Sequence, residues 1–169
     1  MKKNLTLTGM MGVGKSTIGK AVSKRLLMEF VDIDRIIEKN LNLSIQKIFE
    51  QKGESFFREL EEKITLEEIK KKNKVISLGG GAFMNKKIRN YALEHTKSFW
   101  LNLDTDLLVK RLDSSKKRPL LSNKNIKLTL EKIYNKRKNT YSLANYKIDC
   151  NNLTIEMSIN KIIKIYDDN

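Results

Sequence analysis

Residues 9–17 combine glycines, a lysine and two hydroxyl side chains in an arrangement suited to holding phosphate groups. The stretch reads Gly-Met-Met-Gly-Val-Gly-Lys-Ser-Thr and follows apolar residues 5–8, which predict a short buried strand. Glycines allow the backbone to wrap an anion with its N–H groups, and a following helix presents its positive N-terminal end to the same anion. In such a loop Lys15 reaches the β- and γ-phosphates and the Ser16 hydroxyl binds Mg²⁺.

The alternative interpretation of this loop is a glycine-rich turn that binds nothing. The preceding strand and the amphipathic helical pattern of residues 15–27 favour phosphate binding, because strand, loop and helix must follow in that order. We therefore predict that the loop binds the phosphates of a nucleotide. The predicted contacts are Gly12, Val13, Gly14, Lys15, Ser16 and Thr17.

Two carboxylates close the second apolar segment, residues 30–34. This segment predicts a second strand, and the alternation of side chains along a strand points Asp32 and Asp34 to the same side, so both can face one site. Asp32 is then the candidate for the outer shell of the metal, with Ser77 as a water-mediated helper, and Asp34 is left to meet a substrate hydroxyl. The alternative is that Asp34 only caps the next helix.

Arginines and a glycine run supply further candidates for holding an anion. Arg58 and Glu61 share one face of a predicted helix, and a surface ion pair is the interpretation that their spacing alone favours. Three consecutive glycines, residues 79–81, fit a backbone that approaches a ligand closely, or else an ordinary flexible loop. Arg118 lies in the polar stretch 113–125, which is either a lid that closes over phosphates or a charged solvent loop.

The elements needed to position these residues alternate between strand and helix along the chain. Strands are predicted at 5–8, 30–34, 75–78, 98–103 and 146–150. Helices are predicted at 15–27, 35–40, 44–51, 54–71, 85–96, 105–112, 128–144 and 154–166, with Ser44 and Asp104 as N-caps. This alternation predicts an α/β fold in which the candidate residues lie at the carboxyl ends of the strands.

Composition restricts the class of protein. The 169 residues are within the size of one domain, and we expect a single domain over 1–169. No stretch approaches the length of a membrane span, and no secretory signal is expected, so we predict a cytoplasmic protein. The net charge of +14 could indicate a nucleic-acid binder, but the basic residues are mostly dispersed lysines without interleaved aromatic residues. We therefore expect no nucleic-acid or membrane partner.

Taken together, these motifs resemble those of the shikimate kinase family, a group of P-loop kinases, over essentially the whole chain. The matching pieces are the loop ending Gly-Lys-Ser-Thr, the pair Asp32 and Asp34, Phe57-Arg58-x-x-Glu61, the glycines 79–81, Arg118-Pro119-Leu120-Leu121, and Tyr134-x-x-Arg137-x-x-x-Tyr141. The resemblance implies a three-layer α/β/α fold around a five-stranded parallel sheet ordered 2-3-1-4-5. It also implies a substrate-binding helical region at about 33–61 and a mobile lid at about 113–125.

The resemblance further implies the reaction and the role of each residue. The family transfers the γ-phosphoryl group of ATP to the 3-hydroxyl of shikimate, with Mg²⁺ as cofactor. Lys15, Asp34 and Arg118 are the implied catalytic residues, and Ser16 and Asp32 the implied metal site, with one ion per subunit. The implied shikimate contacts are Asp34, Arg58, Gly79, Gly80, Gly81 and Arg137, and Arg111 and Arg118 join the loop in binding ATP.

Two other functions stay open on the sequence. A related small-molecule or nucleotide kinase would share the loop at 9–17, but would not obviously need two arginines that converge on a carboxylate. A nucleic-acid-binding P-loop protein would account for the charge, and its binding would depend steeply on salt. We expect a monomer that acts on shikimate and ATP.

The proposed lid residue can be tested by substitution. If Arg118 stabilises the transferring phosphoryl group, Arg118→Ala lowers turnover by roughly 10²- to 10³-fold, as for other catalytic arginines in phosphoryl transfer. Steady-state kinetics with saturating substrates measure this. Turnover close to that of the unmodified chain would refute the role.

Overall fold

The computed structural model describes residues 3–113 and 126–168, and it contains one five-stranded parallel sheet. Neighbouring strands follow the order β2-β3-β1-β4-β5, and all four pairings are parallel. This confirms the predicted fold class and strand order. The strands are β1 (Asn4–Thr8), β2 (Glu29–Asp32), β3 (Lys74–Ser77), β4 (Thr96–Asn102) and β5 (Tyr146–Asp149).

Helices connect the strands in the order expected of parallel βαβ units. They are α1 (Lys15–Leu26), α2 (Ile33–Leu41), α3 (Ile45–Lys70), α4 (Lys86–His95), α5 (Thr105–Asp113), α6 (Ile126–Tyr141) and α7 (Ile155–Asp168), with a short 3₁₀ helix at Ala82–Met84. Among the helices of the described ranges, none combines the length and apolar character that crossing a membrane requires.

The central strands are buried on both faces. Leu5, Leu7, Val75, Ile76 and Phe99 are fully buried, and every residue of β1 and β3 is buried, including the polar ones. Among the polar side chains of these strands, the Thr6 and Thr96 hydroxyls form a hydrogen bond at 2.9 Å. The sheet therefore forms a rigid base for the loops that leave its carboxyl edge.

Helix α3 contains the break that the sequence predicts. Ser44 accepts a hydrogen bond from the Lys47 backbone N–H at 3.3 Å, which confirms it as the N-cap. Gly53 has φ 81° and ψ 168°, a backbone conformation outside the helical region. Two helical segments therefore meet at Gly53, in agreement with the predicted helices at 44–51 and 54–71.

The predicted strand at 30–34 is too long. Strand β2 ends at Asp32, whose carboxylate accepts from the Arg35 backbone N–H at 3.5 Å and so starts α2 at Ile33. Asp32, and not Asp34, is the N-cap, and Asp34 lies in the first helical turn. The two carboxylates do not share a strand face, and they reach one site only because helix follows strand without a loop.

Buried Asn4 joins the end of α3 to the start of β3. Its amide N–H groups donate to the carbonyls of Ile69 (2.9 Å) and Lys71 (2.6 Å), and its side-chain oxygen accepts from the Lys74 N–H at 2.8 Å. These bonds fix the register between β1, which precedes the loop at residues 9–17 (the phosphate-type loop), and β3, which precedes the glycines 79–81.

Asn4→Ala is expected to destabilise the fold by about 2 to 4 kcal/mol, because it leaves buried backbone groups without a partner. Denaturant unfolding measures the free energy of unfolding. Asn90→Ala, at an exposed position of α4, is the control and should change it little. Equal values for the two variants would contradict the role of Asn4.

Candidate active site

The loop between β1 and α1 has the backbone of an anion cradle. Gly9, Gly12 and Gly14 have φ angles of 138°, 80° and 103°, a region that L side chains rarely adopt. Helix α1 begins immediately after the loop and has no acidic residue in its first turn, so its positive end is not offset there. The Lys15 ammonium donates to the carbonyls of Gly9 (2.9 Å) and Met10 (3.0 Å) and lies over the loop.

Ser16 and Asp32 meet at one side of this loop. The Ser16 hydroxyl donates to Asp32 Oδ2 at 2.6 Å, and both residues line the same cleft. A hydroxyl and a carboxylate oxygen are the hard donors that Mg²⁺ prefers, so this pair fits the ion. Within residues 3–113 and 126–168, no group of three His, Cys, Asp or Glu side chains could hold a metal. The pair is thus suited to an ion that takes its other ligands from phosphate and water.

Gly79 and Gly81 lie close to side chains of α2 and α3. A methyl group placed on the Gly79 Cα would lie 2.6 Å from Glu61 Oε1 and 2.7 Å from Asp34 Oδ1. A methyl group on Gly81 would lie 2.7 Å from a guanidinium nitrogen of Arg58. Side chains of α2 and α3 therefore occupy the space that a larger residue at 79 or 81 would need.

The pair formed by Arg58 and Glu61 is not a surface ion pair. Glu61 is 1% exposed, and its Oε2 accepts from the Arg58 guanidinium at 2.7 Å, while Glu54 binds the same guanidinium more weakly at 3.3 Å. Burial opposes the charge of Arg58, but the two carboxylates raise its pKa. Arg58 is consequently held as a cation against the glycine loop.

Burial also raises the pKa of Glu61, against the opposing effect of Arg58. The nearby Asp34 carboxylate raises it further, and the positive charge of Arg137 lowers it. Asp34, Arg58, Glu61 and Arg137 thus form one electrostatic group around Gly79–Gly81. Two cations and two carboxylates arranged in this way can bind an anion next to a hydroxyl.

Helix α6 brings Arg137 to the glycines 79–81. Its guanidinium donates to the Gly80 carbonyl at 3.0 Å, and the Tyr141 hydroxyl donates to the same oxygen. The motif containing Tyr134, Arg137 and Tyr141 was visible in the sequence, but its link to Gly80 spans 57 residues and could not be derived from spacing. Tyr134 lies elsewhere and donates to Asn102 Oδ1 at 2.9 Å.

A cleft of about 380 Å³ joins the phosphate-type loop to the carboxylates. Predicted site residues that line it are Gly12, Gly14, Lys15, Ser16, Thr17, Asp32, Asp34, Ser77, Gly80 and Arg111. Val13 is buried, and its carbonyl accepts from Arg111 at 3.1 Å. Sequence reasoning missed Met11, Leu78 and Leu112 as lining residues, because apolar side chains carry no local signal for a cleft. Arg118 and most of the predicted lid lie outside the described residues.

The model of the shikimate kinase family matches residues 11–167. The chain belongs to the shikimate kinase family. It is 41% identical over 165 residues to the shikimate kinase of Bacillus subtilis, an alignment that covers 96% of this chain and 88% of that one.

Two solved structures of shikimate kinases share the fold of this family member. That of Acinetobacter baumannii in complex with shikimate has a TM-score of 0.92 at 30% identity, and the match covers 99% of this chain and 94% of the other. That of Bacteroides thetaiotaomicron has a TM-score of 0.90 at 31% identity, with 98% of each chain covered.

The raised pKa of Glu61 makes a testable link to stability. The folded protein holds this proton more tightly than the unfolded chain, whose glutamates titrate near 4.5. The associated stabilisation is therefore complete below pH 4.5 and is lost as the pH rises through the folded value. Glutamine does not titrate, so Glu61→Gln does not lose stability in this way. The free energy of unfolding of the variant, relative to that of the unmodified chain, should therefore rise as the pH increases from 4.5 to 7.

Glu62→Gln is the matched control for this pH series. Hydrogen bonds from Asn85 and Lys87 lower the pKa of Glu62, so its contribution is present above pH 4.5 and is lost only at lower pH. Free energies of unfolding at several pH values measure both effects. Parallel profiles of Glu61→Gln and the unmodified chain above pH 4.5 would contradict the shift.

Proposed function

We propose that this chain catalyses the ATP-dependent phosphorylation of the 3-hydroxyl of shikimate, giving shikimate 3-phosphate and ADP, a step in aromatic amino acid biosynthesis. Membership of the shikimate kinase family supports the reaction. The observation that carries the assignment to these residues is the convergence of Arg58, Arg137 and Asp34 on one glycine loop beside the phosphate-type loop. A carboxylate and a neighbouring hydroxyl are the groups that this set recognises.

On the nucleotide side, the N–H groups of residues 12–17 and the positive end of α1 bind the phosphates. Lys15 exchanges its bonds to the Gly9 and Met10 carbonyls for bonds to the β- and γ-phosphates. Arg111 lines the cleft and its guanidinium lies near Gly14, which supports a contact with the base of ATP. The proposed role of Arg118 is to neutralise the transferring group. Phosphoryl transfer needs such positioning and neutralisation more than covalent chemistry.

One Mg²⁺ per subunit belongs to the proposed reaction. Ser16 and Asp32 would hold it, Ser16 directly and Asp32 through its outer shell, because both are oxygen donors in contact within the cleft. The ion neutralises phosphate charge when bound.

On the acceptor side, Arg58 and Arg137 bind the shikimate carboxylate. Their placement on opposite elements around Gly79–Gly81 fixes the orientation of the ring, and the glycines let it approach the backbone. Asp34 accepts a hydrogen bond from the 3-hydroxyl and takes its proton late in the transfer. In this proposal residues 33–61 are the substrate-binding region of a single catalytic domain. The protein acts as a cytoplasmic monomer and has no nucleic-acid or membrane partner.

Substrate-dependent release of ADP tests this function. Shikimate, gluconate and nucleoside monophosphates are offered in parallel with Mg-ATP in a coupled assay. Of the three acceptors, we expect only shikimate to cause rapid release of ADP. Release that depends on gluconate or on a nucleoside monophosphate, and not on shikimate, would assign the chain to another kinase activity.

Arg58→Lys tests the carboxylate contact. Lysine keeps the charge but cannot bind a carboxylate with two parallel N–H groups, so the KM for shikimate should rise roughly 10-fold while the KM for ATP stays constant. Arg25→Lys, which alters a surface pair with Glu156, is the control and should leave both constants unchanged. An unchanged KM for shikimate in Arg58→Lys would remove Arg58 from the binding site.

A further inference from the structure

The carbonyl of Gly80 accepts hydrogen bonds from two side chains of the same helix. Arg137 donates from its guanidinium at 3.0 Å, and the hydroxyl of Tyr141, one turn further along α6, donates to the same oxygen. Gly80 itself lines the cleft between the phosphate-type loop and Asp34. The position of one backbone carbonyl in the site is therefore set jointly by these two residues.

Tyr141 cannot contact a ligand, because its side chain is fully buried. Its ring stacks on Trp100 of β4, with centroids 6.1 Å apart and an interplanar angle of 27°. Packing against a strand of the central sheet leaves the ring little freedom, so its hydroxyl is a fixed reference point. Burial raises the pKa of this phenol, and the charge of Arg137 and a side-chain hydrogen bond with Arg137 oppose the rise.

We propose that Tyr141 is a positioning residue for shikimate binding, which anchors the Gly80 carbonyl and orients the guanidinium of Arg137 both through that carbonyl and by direct contact. The inference rests on the proposed function, since it concerns the affinity of that site for its acceptor. One N–H of Arg137 donates to the Gly80 carbonyl. This bond can orient the planar guanidinium only if the carbonyl is itself held in place. The Tyr141 hydroxyl supplies that second constraint from the core.

Removal of the hydroxyl should therefore act on one substrate more than on the other. The phosphate-type loop has its own contacts with Arg111 and Lys15 and does not depend on Tyr141 for them. A general loss of structure would lower turnover or stability without separating the two substrates. The ratio between the KM values for shikimate and ATP is thus the readout that distinguishes positioning from packing.

The experiment compares Tyr141→Phe with the unmodified chain. Phenylalanine keeps the stacking on Trp100 and removes only the hydroxyl. We expect the KM for shikimate to rise about 5- to 10-fold, the size of effect produced by losing one hydrogen bond to a polar group, with the KM for ATP unchanged. Tyr134→Phe is the matched control. It removes a hydroxyl from the same helix, one that donates to Asn102 and not to Gly80, and it should leave the KM for shikimate unchanged.

A double substitution tests whether the effect passes through Arg137. In an Arg137→Lys background, Tyr141→Phe should raise the KM for shikimate by less than it does alone, because the oriented fork is already lost. Independent, multiplicative effects would overturn the route through Arg137.

The possible failures are distinguishable. An active unmodified chain whose KM for shikimate is the same in Tyr141→Phe overturns this inference alone. A thermal shift with both KM values unchanged also overturns it, because the hydroxyl then only stabilises the fold. Absence of shikimate-dependent ADP release from the unmodified chain overturns the proposed function and this inference together.

Discussion

The ion pair of buried Glu61 with half-buried Arg58 lies against Gly79 and Gly81, and one half of the candidate site is organised around it. Glu61 is 1% exposed, and a carboxylate in that position is stable only with a partner. Arg58 is the partner, and the glycines leave the space that both side chains fill. Burial raises the pKa of Glu61, the neighbouring carboxylates raise that of Arg58, and the hydrogen bond between the two residues fixes the direction of the guanidinium.

The parallel sheet brings the two halves of the site together. Strands β1 and β3 are neighbours, and the loops that leave their carboxyl ends are the phosphate-type loop and the triple glycine. Strand β2 pairs with β3 on the other side and ends at Asp32, which therefore meets Ser16 across the sheet edge. For this reason the loop at residues 9–17 and the glycines 79–81 lie side by side at one edge of the sheet.

The strong positive charge has a simple physical place in this arrangement. A net charge of +14 creates a field that attracts anions, and both proposed substrates are anionic. Within the described residues, the cations that make specific contacts around the cleft are few: Lys15, Arg58, Arg111 and Arg137. Dispersed lysines can raise the local concentration of anions, whereas the proposed recognition depends on the cations that are oriented by partners.

Much of this protein could be predicted from local sequence, and the parts that could not are those set by hydrogen bonds and packing. Glycine spacing at 9, 12 and 14 predicted the anion cradle, because positive φ angles are a property of single residues. Hydrophobic periodicity placed all five strands and most helix ends to within a few residues. It placed Asp34 on the wrong element, since the hydrogen bond from the Arg35 N–H to Asp32, and not apolar alternation, decides where β2 stops.

The sequence by itself determined the chemistry available to the chain: a phosphate-type loop, a hydroxyl and carboxylate for a cation, and arginines for an anion. Only the tertiary structure decided which of these act together. Spacing alone favoured a surface role for Arg58, and burial of Glu61 against Gly79 reversed it. The link from Tyr141 to Gly80 spans 61 residues and has no local signal. Such contacts arise when distant segments pack on one sheet, which a pattern of neighbouring residues does not encode.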